Sequence, residues 1–215
     1  MKIAPITIAL AIIFSFLVWG RHTENIDVFI GTSLSAGQRF YLISKLSALV
    51  ALAILFVQIS LMLFKRYVPA GRRIVWPQRS HQLLGIVTFV LVLIHSISFI
   101  TAASFRSGAP AFSLLLPNFQ TGLYNTAVSL GLLAFYLFLL LVPFGFIARS
   151  GGSLIRRIHR WLVWLALLCV MIHSVAIGSE SKTWPMIVFY CLFACLLLWL
   201  LYRKNIVQEP TKKHN

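Results

Sequence analysis

Six apolar stretches, at 3–20, 41–64, 81–103, 122–148, 158–178 and 185–202, take up most of this 215-residue chain. Each is close to the roughly 20 residues that an α-helix needs to cross a bilayer core of about 30 Å. A backbone in hydrocarbon must satisfy its own hydrogen bonds, and for runs of this length the α-helix does so. The expected fold is therefore an all-α membrane protein, a six-transmembrane-helix bundle forming one domain over 1–215. Composition agrees: 60% of residues are apolar and 11% charged, with a mean hydropathy of +0.90, where soluble domains are about 45–50% apolar. Six spans and their loops leave no room for a soluble flavin or nicotinamide domain, so such a module is expected on another polypeptide.

The first run follows Lys2 and has the start of a signal peptide, but it ends Phe16-Leu17-Val18-Trp19-Gly20-Arg21 without a small-x-small cleavage site. It reads as a retained helix. Pro69, Gly71 and Pro77 mark the second connection, and Gly151-Gly152 breaks the chain before the fifth run.

Charge sets the orientation. Lys2, Lys65, Arg66, Arg72, Arg73, Arg79, Arg149, Arg156, Arg157, Arg203, Lys204, Lys212 and Lys213 fall on one side, against Arg21, Arg39, Arg106 and Lys182 on the other. Cations gather in cytoplasmic loops, so both termini are expected in the cytoplasm of a multi-pass protein. Most of the +15 net charge is thereby explained without nucleic acid. The basic loops suit contact with anionic membrane lipid, and equally the docking of an acidic electron donor.

Within the third and fifth runs one pattern occurs twice. Arg79-Ser80-His81 is followed by His95-Ser96, and Arg157-Ile158-His159 by His173-Ser174, with fourteen residues from one histidine to the next in both. On a helix that step is about 21 Å along the axis and about 40° short of four turns, so both imidazoles share a face at two depths. Two crossings separate these runs, so they point the same way. The pairs by depth are His81 with His159 near the cytoplasm and His95 with His173 near the outer face. A single histidine in an apolar helix is more often a packing hydrogen bonder, and His81 and His159 are close enough to the interface to be solvated. Four at two equal spacings are hard to produce by packing alone. Two metal centres stacked through a low-dielectric medium would explain them, the simplest being two b-type haems with axial histidines, so that haem sites are expected between helices three and five.

Other metals fit less well, because zinc and copper sites usually add thiolate or carboxylate. The four acids, Glu24, Asp27, Glu180 and Glu209, all lie outside the six runs. Their absence from the runs also argues against a proton-coupled transporter. Lys45, near the outer end of the second run, is placed to snorkel or to meet a haem propionate. Cys169, Cys191 and Cys195 show no disulfide framework and no Cys-x-x-Cys-His, and the pair at 191 and 195 reads as helix packing. His22 and His214 belong to no pattern.

Several neighbours carry two readings each. Gly85, one turn after His81, either admits a flat macrocycle or serves as a helix-packing contact. Arg79, Arg157 and Arg160 either neutralise propionates or anchor the cytoplasmic side. Phe89, Trp161 and Trp164 either wall a porphyrin or face lipid.

The run Ser80-His81-Gln82-Leu83-Leu84-Gly85 with His95 ten residues after the glycine, and Arg157-Ile158-His159-Arg160-Trp161 with His173 downstream, resemble the third and fifth helices of the ferric-reductase-like transmembrane domain. That family includes ferric reductases, NADPH oxidases and the bacterial haem-binding membrane subunit of the methionine sulfoxide reductase system. The resemblance runs from about Tyr41 to Tyr202 and implies a six-helix bundle whose two b haems pass electrons from a cytoplasmic reductant to an outer acceptor. Two departures qualify it. Ferric reductases and oxidases continue into FAD and NADPH domains, whereas this chain ends about a dozen residues beyond Tyr202. The methionine sulfoxide reductase subunit has this shorter form but commonly lacks a histidine at the position of His81.

The resulting expectation is a di-haem b transmembrane electron-transfer protein, located in a bacterial inner (plasma) membrane. Its donor is a cytoplasmic flavoprotein, flavin reductase or free flavin that docks near Arg72, Arg73, Arg156 and Arg157, and flavin binds only through such a partner or a surface site. An extracytoplasmic redox partner or acceptor meets the outer haem near the loops at 21–40 and 104–121. Two alternatives stand beside it: a terminal reductase of ferric iron or oxygen at the outer haem, and a non-redox scaffold or a haem or metal transporter.

Overall fold

Every long uncharged run in the sequence becomes a helix in the computed structural model, which describes residues 3–22, 34–67, 78–120 and 122–208. The helices are α1 (Ile3–His22), α2 (Ala36–Tyr67), α3 (Gln78–Ser107), α4 (Gly122–Ser150), α5 (Ser153–Ile177) and α6 (Trp184–Gln208). Single 3-10 turns at Phe112–Leu115 and Glu180–Lys182 interrupt two of the connections. By length and composition four helices can cross a membrane, over Ala36–Leu63, Ser80–Ser107, Gly122–Ala148 and Ser153–Ile177. The apolar parts of α1 and α6 are shorter, Pro5–Arg21 and Trp184–Trp199.

The breaks follow backbone chemistry. Gly122, with φ +89°, opens α4 in the left-handed region that a side chain would resist. Gly178 closes α5 by donating its N–H to Ser174 O at 2.8 Å. Pro143 lies inside α4, where it withholds one helical N–H; helices packed in an apolar medium accommodate such a gap through their neighbours.

α2 is the central helix. In its most apolar stretch 67% of residues are buried, against 17–22% in α3, α4 and α5, and α1, α3 and α6 all pack on it. α2 with α3, and α4 with α5, form two antiparallel hairpins. Their shared core includes Leu52, Phe56, Leu137, Phe138, Ala166 and Phe193, and Phe56 stacks on Phe193 with ring centres 4.0 Å apart. Between apolar helices in lipid the hydrophobic term largely cancels, so close packing and interhelical hydrogen bonds take over. Ser15 Oγ accordingly reaches Leu49 O across α1 and α2 at 3.3 Å, and Trp19 Nε1 donates to Leu42 O at 3.0 Å.

Candidate functional site

Each of the four patterned histidines meets a residue from the other helix of its hairpin. On α2 the partners are polar. Gln58 Nε2 lies 2.9 Å from His81 Nδ1 and 3.0 Å from the His81 carbonyl oxygen, and Ser44 Oγ lies 2.9 Å from His95 Nδ1 and 3.1 Å from the His95 carbonyl oxygen. On α4 the partners are glycines. A Cβ on Gly131 would fall within the ring of His173, and one on Gly145 would sit 3.5 Å from Cε1 of His159. Ser44 and Gln58 are fourteen residues apart, and so are Gly131 and Gly145. Four helices thus repeat one arrangement at two depths about 21 Å apart.

Midway between the depths, seven residues from each, stand Ala51, Thr88, Phe138 and Ala166, all buried. Among the described residues the Thr88 hydroxyl, 1% exposed as a residue, has no hydrogen-bond partner.

The outer layer is the more completely built. His95 Nδ1 lies 2.9 Å from Ser44 O, and His173 Nδ1 lies 2.8 Å from Ala127 O. A carbonyl oxygen only accepts, so both rings carry their proton on Nδ1 and leave the Nε2 lone pair bare. The Ser44 hydroxyl completes the set by donating to the His95 carbonyl oxygen. Across the two hairpins the rings of His95 and His173 meet, with centres 6.3 Å apart and planes at 74°. These are the two histidines that the sequence places at the outer depth. In the inner layer His81 is held by Gln58, while the buried Nδ1 of His159 has no hydrogen-bond partner among the described residues.

Other candidates from the sequence find different places. The ideal Cβ of Gly85 points at α2 and lies 3.6 Å from Gln58 Nε2, a geometry that fits helix packing and gives the amide access to the His81 carbonyl. Arg157 and Arg160 are exposed on α5, whereas the side chain of Arg79, and Arg72, Arg73 and His214 entirely, lie outside the described residues. Trp161 is 70% exposed and Trp164 40%, so both point away from the bundle, while Phe89 packs on the core. Cys191 and Cys195 are also exposed. The packing expected of them is therefore replaced by an outward face, because that side of α6 carries no neighbouring helix.

Lys45 neither snorkels nor stands ready for a propionate. It pairs with Glu180 at 2.7 Å and donates to Ser179 Oγ at 2.8 Å, which fastens the α5–α6 connection to α2. Burial alone would raise the pKa of the Glu180 carboxyl, but the Lys45 hydrogen bond and charge, with Ser179 3.0 Å away, hold it below its ordinary value. Next to this pair, Ser174, Ser181 and Tyr190 bond in a triangle with sides of 2.7–3.0 Å.

Ser44, Gln58, Gly131 and Gly145 were not singled out by sequence reasoning. A second and third fourteen-residue spacing, on the helices flanking the histidines, was the available signal.

A neutral imidazole with a bare Nε2 atom has the lone pair that metal ligation requires. Among the described residues no three or more His, Cys, Asp or Glu side chains come together. The outer pair therefore suits a metal that brings its remaining ligands with it. No family model matches the chain, and neither the curated proteins nor the solved structures include a match.

Proposed function

We propose that the chain is the haem-bearing membrane subunit of an oxidoreductase system, carrying single electrons from a cytoplasmic flavin or flavoprotein to an acceptor on the outer face. The observation that carries this reading is the outer histidine pair. The His95 and His173 rings lie with centres 6.3 Å apart, and both would be able to ligate one metal through Nε2. When bound, a b-type haem supplies a reversible one-electron iron couple and four equatorial nitrogens of its own. His95 and His173 would hold it, with Ser44 O and Ala127 O fixing the tautomer and angle of each ring as outer-shell partners do. His81 and His159 would hold a second, on the cytoplasmic side.

Supporting features lie on either side of these layers. The buried residues Ala51, Phe138 and Ala166 at the level between the layers would disfavour water there, so charge would cross without a proton leak. Arg156, Arg157 and Arg160 are exposed at the start of α5, where an acidic donor would be steered. In this reading α1 and α6, although short, join the four longer helices as spans near the lower limit of about 17 residues. Both termini then lie in the cytoplasm, and the six-helix resemblance to the ferric-reductase-like domain rests on the same four histidines.

The deciding measurement is a reduced-minus-oxidised absorption spectrum of the purified protein, with its haem-to-protein ratio. A b-type spectrum is expected, with the outer-site share of it lost in both His95→Ala and His173→Ala. Absence of haem, or a haem indifferent to both substitutions, overturns the reading.

A further inference from the structure

The two histidine layers share a spacing, but their hydrogen bonds differ in one respect that bears on ligation. At His95 and His173 a backbone carbonyl receives the Nδ1 proton. At His81 the partner is a side-chain amide, and one Gln58 nitrogen serves both the His81 carbonyl oxygen at 3.0 Å and His81 Nδ1 at 2.9 Å. An atom 3.0 Å from a carbonyl oxygen must be a donor, because an amide turned the other way would set oxygen against oxygen. The NH₂ group has two protons and gives one to each neighbour. His81 Nδ1 is then an acceptor, and the proton of the neutral ring sits on Nε2, the nitrogen that the outer histidines leave bare. Across the layer, the buried His159 Nδ1 has no hydrogen-bond partner among the described residues to set its tautomer. A Cβ added to Gly145 would meet the His159 ring at an ordinary 3.5 Å, where one on Gly131 would collide with the His173 ring, so His159 lies less closely against α4 than His173 does.

Resting on the haem reading above, we propose that the two layers load unequally. The outer pair is a preset bis-imidazole site, and the inner pair is a latent one with Gln58 as its latch. Ligation by His81 Nε2 requires the Gln58 amide to turn or withdraw, so that the ring proton moves from Nε2 to Nδ1 with no net proton gained or lost. Gln58 is thus a positioning residue, acting on metal through the tautomer of His81. Ser44, at the equivalent position of the outer layer, works in the opposite sense: its carbonyl accepts from Nδ1, and its hydroxyl, also 2.9 Å from that nitrogen, donates to the His95 carbonyl oxygen.

Full-length protein loaded with excess haemin and freed of unbound pigment provides the test. The haem-to-protein ratio is measured, and release to excess apomyoglobin is followed in the Soret band. The expected result is either a ratio near one or two release phases of different rate, with the fast phase absent in His81→Ala and the slow phase absent in His95→Ala. Gln58→Leu, which removes the donor at similar volume, is expected to slow the fast phase roughly tenfold, a change typical of outer-shell partners, or to raise the ratio from one towards two. The low-spin electron paramagnetic resonance signal of the outer site should stay unchanged. Gln58→Met repeats the test with a more adaptable side chain, and biphasic release needs no variant. Two haems leaving at one common rate overturn the proposal while keeping the function, as does a fast phase indifferent to both Gln58 variants. A protein that takes up no haem overturns the function itself.

Discussion

Gly131 and His173 compete for one volume: the space a Cβ on Gly131 would need is already filled by the imidazole ring of His173. The glycine is thus part of the outer layer, because it lets the ring lie against α4 with Nδ1 on Ala127 O. Gly131→Ala should push the ring off that carbonyl, lower the haem content and cost about 1–3 kcal/mol, the usual range for an overpacked site. Gly145→Ala serves as the internal control, since its Cβ would meet His159 at an ordinary 3.5 Å. Haem ratios and thermal unfolding of the two variants in one detergent should separate them clearly.

Ser44 makes a different prediction from its two contacts with His95. The Nδ1 proton goes to the Ser44 carbonyl, which an alanine retains, and the hydroxyl, also 2.9 Å from Nδ1, donates its proton to the His95 carbonyl. Ser44→Ala should therefore cost about 1 kcal/mol, the worth of one ordinary hydrogen bond, and leave the haem spectrum unchanged. A lost or high-spin spectrum would place the serine hydroxyl, rather than the backbone, in control of the ring.

What the sequence made legible was whatever depends on periodicity along one helix. Five of the six apolar runs fall within helices and the fifth passes the end of α5 by one residue, Gly178, and the nearness of His95 to His173 accords with their common depth. What stayed hidden depends on register between helices. Gly131 and Gly145 look like ordinary small residues until α5 is laid beside them, and Gly85 drew notice only for being near His81, although its Cβ faces Gln58. Lys45 was unpredictable for a related reason. Its counter-charge, Glu180, lies 135 positions away in a short turn, and no local pattern announces that this turn folds down onto α2.

That ion pair predicts a pH dependence. Lys45 and Glu180 are 17% and 7% exposed, so removing one partner leaves a buried charge, at a cost of about 3–5 kcal/mol. Glu180→Gln should be strongly destabilising, and Lys45→Met with Glu180→Gln should recover much of the loss, as a double-mutant cycle would register. The folded carboxyl has a lowered pKa, so its contribution is complete above the ordinary carboxylate pKa of about 4.3 and is lost as pH falls through the lower folded value. Unfolding temperatures of wild type and Glu180→Gln should accordingly differ most near neutrality and converge in acid. A difference that stays constant to pH 3 would refute the assignment.

Thr88 offers the sharpest test of the layer between the histidines. It lies seven residues from both His81 and His95, its residue is 1% exposed, and its hydroxyl oxygen has no partner. A buried hydroxyl without a bond keeps its desolvation cost and gains nothing in return, about 1–3 kcal/mol. Valine has nearly the same shape without the oxygen. Thr88→Val is therefore expected to be neutral or stabilising, which is unusual for a substitution at a fully buried site, and to leave haem content and spectrum intact. Thermal unfolding of the purified variant, with and without bound haem, measures both. If Thr88→Val destabilises only the haem-loaded protein, the hydroxyl has a partner that arrives with the cofactor, and the dry layer proposed between the two sites is wrong. If both forms gain stability, the layer works by exclusion alone, and Ala166→Leu, which fills the same level from α5, should then cost about 1–3 kcal/mol through overpacking.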